Sequence, residues 1–141
     1  KYLRAGDTVI DVGCGSGILG IAALLLGAKF AYMTDIDYVA VRSAEHNAAL
    51  NGVAERAKIA LSDLLESAEV RGDVMTANIT ADILCRLSGS IPVNLKAGGT
   101  LILSGIIEPK LAQVIAAYEA VGLRLLEQRQ QGEWYALAFR A

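Results

Sequence analysis

The chain has 141 residues, 54% of them hydrophobic and 20% charged, with a net charge of −2, enough apolar content for one domain with a buried core. Interspersed charge of that size leaves no electrostatic footprint for nucleic acid, no apolar run is long enough to span a bilayer, and nothing resembles a signal peptide. The two cysteines, Cys14 and Cys85, form neither a disulfide framework nor a metal-ligand cluster, so a reducing, cytoplasmic compartment is expected.

The first residue is Lys1, and strand-like sequence begins almost at once, so the stretch reads as a piece of a longer protein. Thr8 to Val12 is a short apolar strand ending at glycine. Ile18 to Leu26 is apolar nearly all round, which predicts a deeply buried helix stopped by Gly27. Phe30 to Thr34 is a second strand, and Asp37 can cap a helix running to about Leu50. Ala40, Ala44 and Ala48 share one face of that helix. Lys58 to Leu61 and Asp73 to Ala77 are further strands, the second with Asn78 at its carboxyl end. Asp82 to Leu95 reads as a helix that Pro92 should kink or end early, and "KAGG" as a turn. Thr100 to Ile106 is an apolar strand, and Pro109 fits the first turn of a helix closed by Gly122. Leu123 to Gln130 and Glu133 to Arg140 alternate around a turn at Gly132, too short for a crossover, so they pair antiparallel.

Strands alternating with helices predict one α/β domain, a mostly parallel sheet with helices on both faces and a terminal antiparallel hairpin. Ligands bind such sheets outside the strand carboxyl ends, near the switch in strand order. Gly13, Gly15 and Gly17, then Asp35, Asp63 and Asn78, all fall just after strands. The three alternating glycines allow positive φ and close approach of a ligand, with free helix N–H groups behind them. Asp35, about twenty residues on, suits the two hydroxyls of a ribose.

Two registers compete. Gly15, Gly17 and Gly20 spell G-x-G-x-x-G and point to a nicotinamide dinucleotide oxidoreductase. That fingerprint wants its first glycine directly after the strand, where this chain has Gly13. Asp11, near the end of the strand, would repel a pyrophosphate. It either faces a cationic ligand group or braces the glycine turn as a satisfied buried acid. Asp63 is either a helix cap or a ligand contact, and Asn78 either a turn residue or a substrate contact. His46, mid-helix, reads as solvated; of Trp134 and Tyr135 one should pack inward and the other face out.

"DVGCGSG" followed by "TDID" resembles the S-adenosylmethionine-dependent methyltransferases of Rossmann-like fold. "LKAGGTLILSG", "ANITADIL" and "GEWYALAFR" are similar to the catalytic domain of PrmA-type enzymes, which trimethylate amines of a large-subunit ribosomal protein. The resemblance implies a seven-stranded sheet whose last strand is antiparallel. It implies S-adenosylmethionine as cofactor and an N-methyltransferase acting on lysine and/or N-terminal amines of that ribosomal protein, with no direct nucleic acid or membrane partner. Carried onto this chain, Gly13, Gly15 and Gly17 would line the methionine part and Asp11 would help fix its ammonium. Asp35 would hold the ribose, Ile36 would pack on adenine and Asp63 would meet the adenine amino group. Asn78, with the backbone carbonyl of Ile79, would orient the attacking amine beside the cofactor. The family pattern also has an upstream cofactor-covering loop and, before it, a substrate-recognition domain, neither of which lies in this stretch. Other acceptors in the same fold, a dinucleotide oxidoreductase and a non-catalytic binding module remain the alternatives.

Overall fold

The computed structural model describes residues 1–66 and 68–141. Seven strands, β1 (Thr8–Val12), β2 (Phe30–Asp35), β3 (Ala57–Leu61), β4 (Gly72–Asn78), β5 (Leu95–Ile107), β6 (Arg124–Gln131) and β7 (Trp134–Arg140), form one sheet in the order 3-2-1-4-5-7-6. Strands β1 to β5 are parallel, and β7 lies antiparallel between β5 and β6. The predicted α/β architecture with its terminal hairpin is the one observed.

The strand alternation sorts the core onto two faces. Ile10, Val12, Met75, Leu101 and Leu103 point to one side, where Leu84 and Leu87 of α3 (Ala81–Leu87) and Val114 and Tyr118 of α5 (Glu108–Ala120) cover them. Tyr118 stacks obliquely on Phe139, ring centroids 5.4 Å apart, and donates its hydroxyl hydrogen to the Leu84 carbonyl at 2.7 Å. Val9, Ala31 and Met33 point to the other side, against Ile21 and Leu24 of α1 (Ile18–Leu25) and Ala44 and Ala48 of α2 (Tyr38–Leu50). Asp37 caps α2 as expected, accepting from the Val39 N–H at 2.8 Å. Arg56 closes the other end of α1, donating to the carbonyls of Leu24 and Ala28.

Two expectations are corrected, and a third, the early end of the helix near Pro92, is made specific. Helix α1 is not deeply buried: only Gly20, Ile21 and Leu24 are, while Ile18 and Leu26 are 71% and 76% exposed. One apolar side meets the sheet; Leu19, Ala22, Ala23 and Leu26, with the sheet face beside them, line a groove of about 400 Å³. The helix expected over 82–95 breaks before Pro92. Helix α3 ends at Leu87, Ser88–Ser90 forms a 3-10 turn, and Pro92 opens a one-turn helix, α4 (Ile91–Asn94). Gly89 lies in that break, and proline is tolerated only in a first turn. "KAGG" is not a separate turn. Leu95 already pairs with Gly72, the register then shifts, and Gly98 takes φ +73° within β5.

Candidate functional site

The chain runs outward from β1 through β2 to β3, then returns to β4 on the other side of β1. The carboxyl ends of β1 and β4 therefore flank the topological switch, where this architecture opens a crevice. Gly13 to Gly17 form one wall. The Cys14 N–H donates to the Thr34 carbonyl at 2.9 Å, tying the turn to the end of β2, and the Gly17 N–H donates to the Cys14 carbonyl at 2.8 Å.

The three turn glycines do three different jobs. All have positive φ, at +69°, +54° and +85° for Gly13, Gly15 and Gly17. A Cβ on Gly13 would collide with the Cγ2 of Ile79, so its bareness lets β1 and the end of β4 close together. A Cβ on Gly17 would press on Ala44 and Ile21 at 3.1 and 3.2 Å, so it seats α1 against α2. A Cβ on Gly15 would meet nothing within 4 Å. Gly15 alone presents backbone to open space. Gly20 belongs to the packing class: a Cβ there would strike the Sδ and Cγ of Met33, so α1 sits almost on β2.

Asp35 ties the wall from the β2 side. Its Oδ2 accepts from the Gly15 N–H and its Oδ1 from the Asp37 N–H, both at 2.9 Å. Each oxygen keeps a second lone pair for a further donor. Ile36 follows with 72% exposure. A cleft of about 180 Å³ opens here between Asp35 and Ile36 on one side and Asp63, Leu64, Ile79 and Arg86 on the other. Asp63 caps no helix: it lies in a turn, where the Glu66 N–H donates to its carbonyl at 3.2 Å, and its Oδ2 accepts from Arg86 at 2.9 Å. Leu64, at φ +56°, is the one non-glycine residue with positive φ among those described. Such strain in a side-chain-bearing residue clusters at functional sites.

Asp11 is not on the open side of the turn. It is 1% exposed and turned under the loop, where Oδ1 accepts from the Thr76 hydroxyl at 2.7 Å and Oδ2 from the Gly20 N–H at 3.1 Å. Of the two roles expected for it, contact with a ligand ammonium and bracing of the turn, the burial of Asp11 favours the brace. Gly20 is in the first turn of α1, so Asp11 satisfies one of the helix's free N–H groups from a neighbouring strand. Burial, only partly offset by those bonds, pushes its carboxyl up to about 6.

The second wall is built from β4 and β5. Asn78 is exposed at the end of β4, paired with Ser104 of β5, and Ile79 follows. Between Leu103 and Ile106 the pairing of β5 with β7 slips, and inside that bulge Gly105 takes φ +81°. A Cβ on Gly105 would lie 2.9 Å from Asn78 Oδ1 and 3.1 Å from the Ile79 carbonyl oxygen. The missing side chain of Gly105 therefore lets both oxygens pack close against its backbone, on one side of the strand end. Neither the Asn78 side chain nor the Ile79 carbonyl is hydrogen-bonded to another described residue. Gly105 was absent from the sequence-derived site, although a glycine inside an apolar strand is itself a sign of a bulge or close approach.

The remaining groups stand aside. His46 is exposed on α2, as expected. Cys14 is buried, its thiol pushed up to about 12 mainly by that burial, which leaves it no thiolate at neutral pH. Tyr135 packs inward while Trp134 is half exposed. No cluster of metal-ligating side chains occurs among the described residues, and no described helix is long and apolar enough to cross a membrane.

A profile of the family described as ribosomal protein L11 methyltransferase (PrmA) matches residues 1–141. The ribosomal protein L11 methyltransferase of Pelotomaculum thermopropionicum is 46% identical over 140 residues, covering 99% of this chain and 46% of that protein. The chain thus spans a little under half the length of the curated relatives it matches. The crystal structure of a ribosomal protein L11 methylase from Lactobacillus delbrueckii subsp. bulgaricus superposes with a TM-score of 0.92 at 37% identity, over 95% of this chain and 69% of that one. An RNA methyltransferase from Salinibacter ruber, solved with S-adenosyl-L-homocysteine, shares the fold with a TM-score of 0.75 at 18% identity, over 95% of this chain and 80% of that one.

Proposed function

The chain belongs to the PrmA family of ribosomal protein L11 methyltransferases, and from that premise we propose that its crevice binds S-adenosylmethionine and directs a methyl group to amine nitrogens of ribosomal protein L11. The lysine side chains and the N-terminal amine of that protein are the acceptors this reading names. The observation that carries it is the pair of oxygens at the end of β4, Asn78 Oδ1 and the Ile79 carbonyl, which bare Gly105 brings side by side and which have no hydrogen-bond partner among the described residues.

The first wall fits the proposed cofactor. Asp35 has lone pairs left for two ribose hydroxyls, and the exposed face of Ile36 offers an apolar surface for a base. Asp63 Oδ1 has no described hydrogen-bond partner and lines the same cleft, so it can accept from an exocyclic amine. Gly15 gives the methionine part an approach to backbone that a side chain would block. Asp11 acts through the turn, by holding the start of α1. When bound, the cofactor supplies a methyl group on a positively charged sulfonium.

The second wall fits the acceptor. A neutral primary amine has two N–H bonds and one lone pair. Two oxygens that take the two N–H bonds leave the lone pair directed away from them, so Asn78 and Ile79 fix the direction of attack. A lysine amine has to lose its proton first, which costs about 4.6 kcal/mol at pH 7. No histidine or thiolate base stands at the strand ends: His46 is exposed on α2 and the Cys14 thiol is buried and protonated. The chain's own contribution is therefore orientation of the neutral amine, with the proton leaving to solvent before docking.

Calorimetry with S-adenosylhomocysteine and NAD in parallel tests the cofactor: binding of the first and not the second is expected, and the reverse overturns it. Mass spectrometry of ribosomal protein L11 after incubation with S-adenosylmethionine tests the acceptor. Methyl groups found only on amide or carboxylate oxygens would remove the amine.

A further inference from the structure

The sequence gives Arg86 no role, and exposed ion pairs contribute little to stability as a rule. Its position says more. Arg86, on α3, lines the 180 Å³ cleft and donates from Nη2 to Asp63 Oδ2 at 2.9 Å, the two side chains being 58% and 36% exposed. The bridge joins two elements of different origin, the helix after β4 and the strained turn after β3, in which Leu64 sits at φ +56°. It engages one carboxylate oxygen and leaves the other, Oδ1, without a described partner in a cleft that Ile36 and Leu64 also line.

Resting on the cofactor reading above, we infer that Arg86 is a positioning residue for base recognition: it pins Asp63 so that one carboxylate oxygen faces the cleft as a fixed acceptor. A carboxylate free to turn about its Cβ–Cγ bond offers an acceptor in many directions. One held by a guanidinium offers it in one, and that direction selects a base edge bearing an amino group. A base with a carbonyl at the same position sets oxygen against oxygen, and the cleft rejects it.

The test compares two ligands that differ at that one position, S-adenosylhomocysteine and its deaminated counterpart S-inosylhomocysteine, by calorimetry. The unaltered chain is expected to prefer the adenine compound. Arg86→Met is expected to lose roughly fivefold to tenfold in affinity for it, the worth of about one oriented hydrogen bond, with little change for the inosine compound. Arg86→Lys keeps the charge without the fork and should restore part of the preference. Asp63→Ala should abolish the preference, and adding Arg86→Met to it should lower the adenine affinity no further. A purely structural bridge predicts a lower melting temperature for Arg86→Met with the preference intact, and that result overturns the inference. An adenine preference that survives Asp63→Ala overturns it too. If the unaltered chain binds NAD but not S-adenosylhomocysteine, the cofactor reading itself has failed and this inference falls with it.

Discussion

The two walls of the crevice treat their polar groups in opposite ways. On the β1–β2 wall, the Asp11 and Asp35 oxygens and the turn amides of Cys14, Gly15 and Gly17 already have protein partners. On the β4–β5 wall, Asn78 Oδ1 and the Ile79 carbonyl lie close together against Gly105 and are hydrogen-bonded to no other described residue. The first wall is rigid before any ligand arrives; the second holds two acceptors whose partners must come from outside. Binding groups gain from being fixed in advance, while groups that orient a reacting atom must be left unsatisfied until it arrives.

The largest effect that would break this contrast is at Asp35. Asp35→Ala removes the Gly15 tie and the proposed ribose contact together. It should weaken S-adenosylhomocysteine binding by about 3 kcal/mol, roughly a hundredfold, in calorimetry. Unchanged affinity would show that the first wall is scaffolding only.

Next comes the other wall. Asn78→Ala should leave that affinity within about threefold but slow methyl transfer to an amine by roughly 2 kcal/mol, with the Ile79 carbonyl as the surviving acceptor. Gly105→Ala should slow transfer similarly by driving a Cβ against the two oxygens and displacing them. Gly132→Ala, with φ +61° and open space around it, carries comparable backbone strain without that obstruction and should not slow transfer. Equal effects of Gly105→Ala and Gly132→Ala would reduce the niche to a strained turn.

Gly20→Ala and Gly15→Ala sharpen the comparison within the first wall. The first drives a Cβ into Met33 and should cost about 2 kcal/mol in urea unfolding. The second adds only the strain of φ +54°, about 1 kcal/mol, and should act mainly on ligand affinity.

The last effect is one of pH and concerns Asp11. Its carboxyl, held at about 6 in the fold against an ordinary 3.8, keeps its proton in the folded state across that window. Its contribution to stability is therefore greatest below about pH 4, declines as pH rises to 6 and is flat above. Asp11→Asn can still accept from Gly20 and carries no charge to bury, so at pH 7 it should be more stable than the unaltered chain, by up to about 3 kcal/mol. The decline between pH 4 and 6 should disappear from the denaturation profile.

Local pattern was enough for the strands, for the Asp37 cap and for the hairpin around Gly132, because each follows from neighbouring residues. It was not enough where the deciding partner is distant in sequence. Asp11 could be ligand contact or brace on spacing alone; Thr76, 65 residues away, favours the brace. An all-apolar run such as Ile18 to Leu26 predicts burial, yet nothing within the run says whether a second layer covers it. Gly105 escaped because its role comes from a register slip against β7 and from the end of β4, neither visible in "LILSGII". Asp63 was read correctly as lying after β3, but its hydrogen bond to Arg86 joins segments 23 residues apart.

The double grip of Asp35 on Gly15 and Asp37 bears on rates as well as affinities. A glycine-rich loop left free would have to find its shape in each encounter, and capture would wait on that search. Here the residue proposed to meet the ribose has set the loop during folding. Association should therefore follow a single phase proportional to ligand concentration, and mutations in this wall should show themselves chiefly in how fast the ligand leaves.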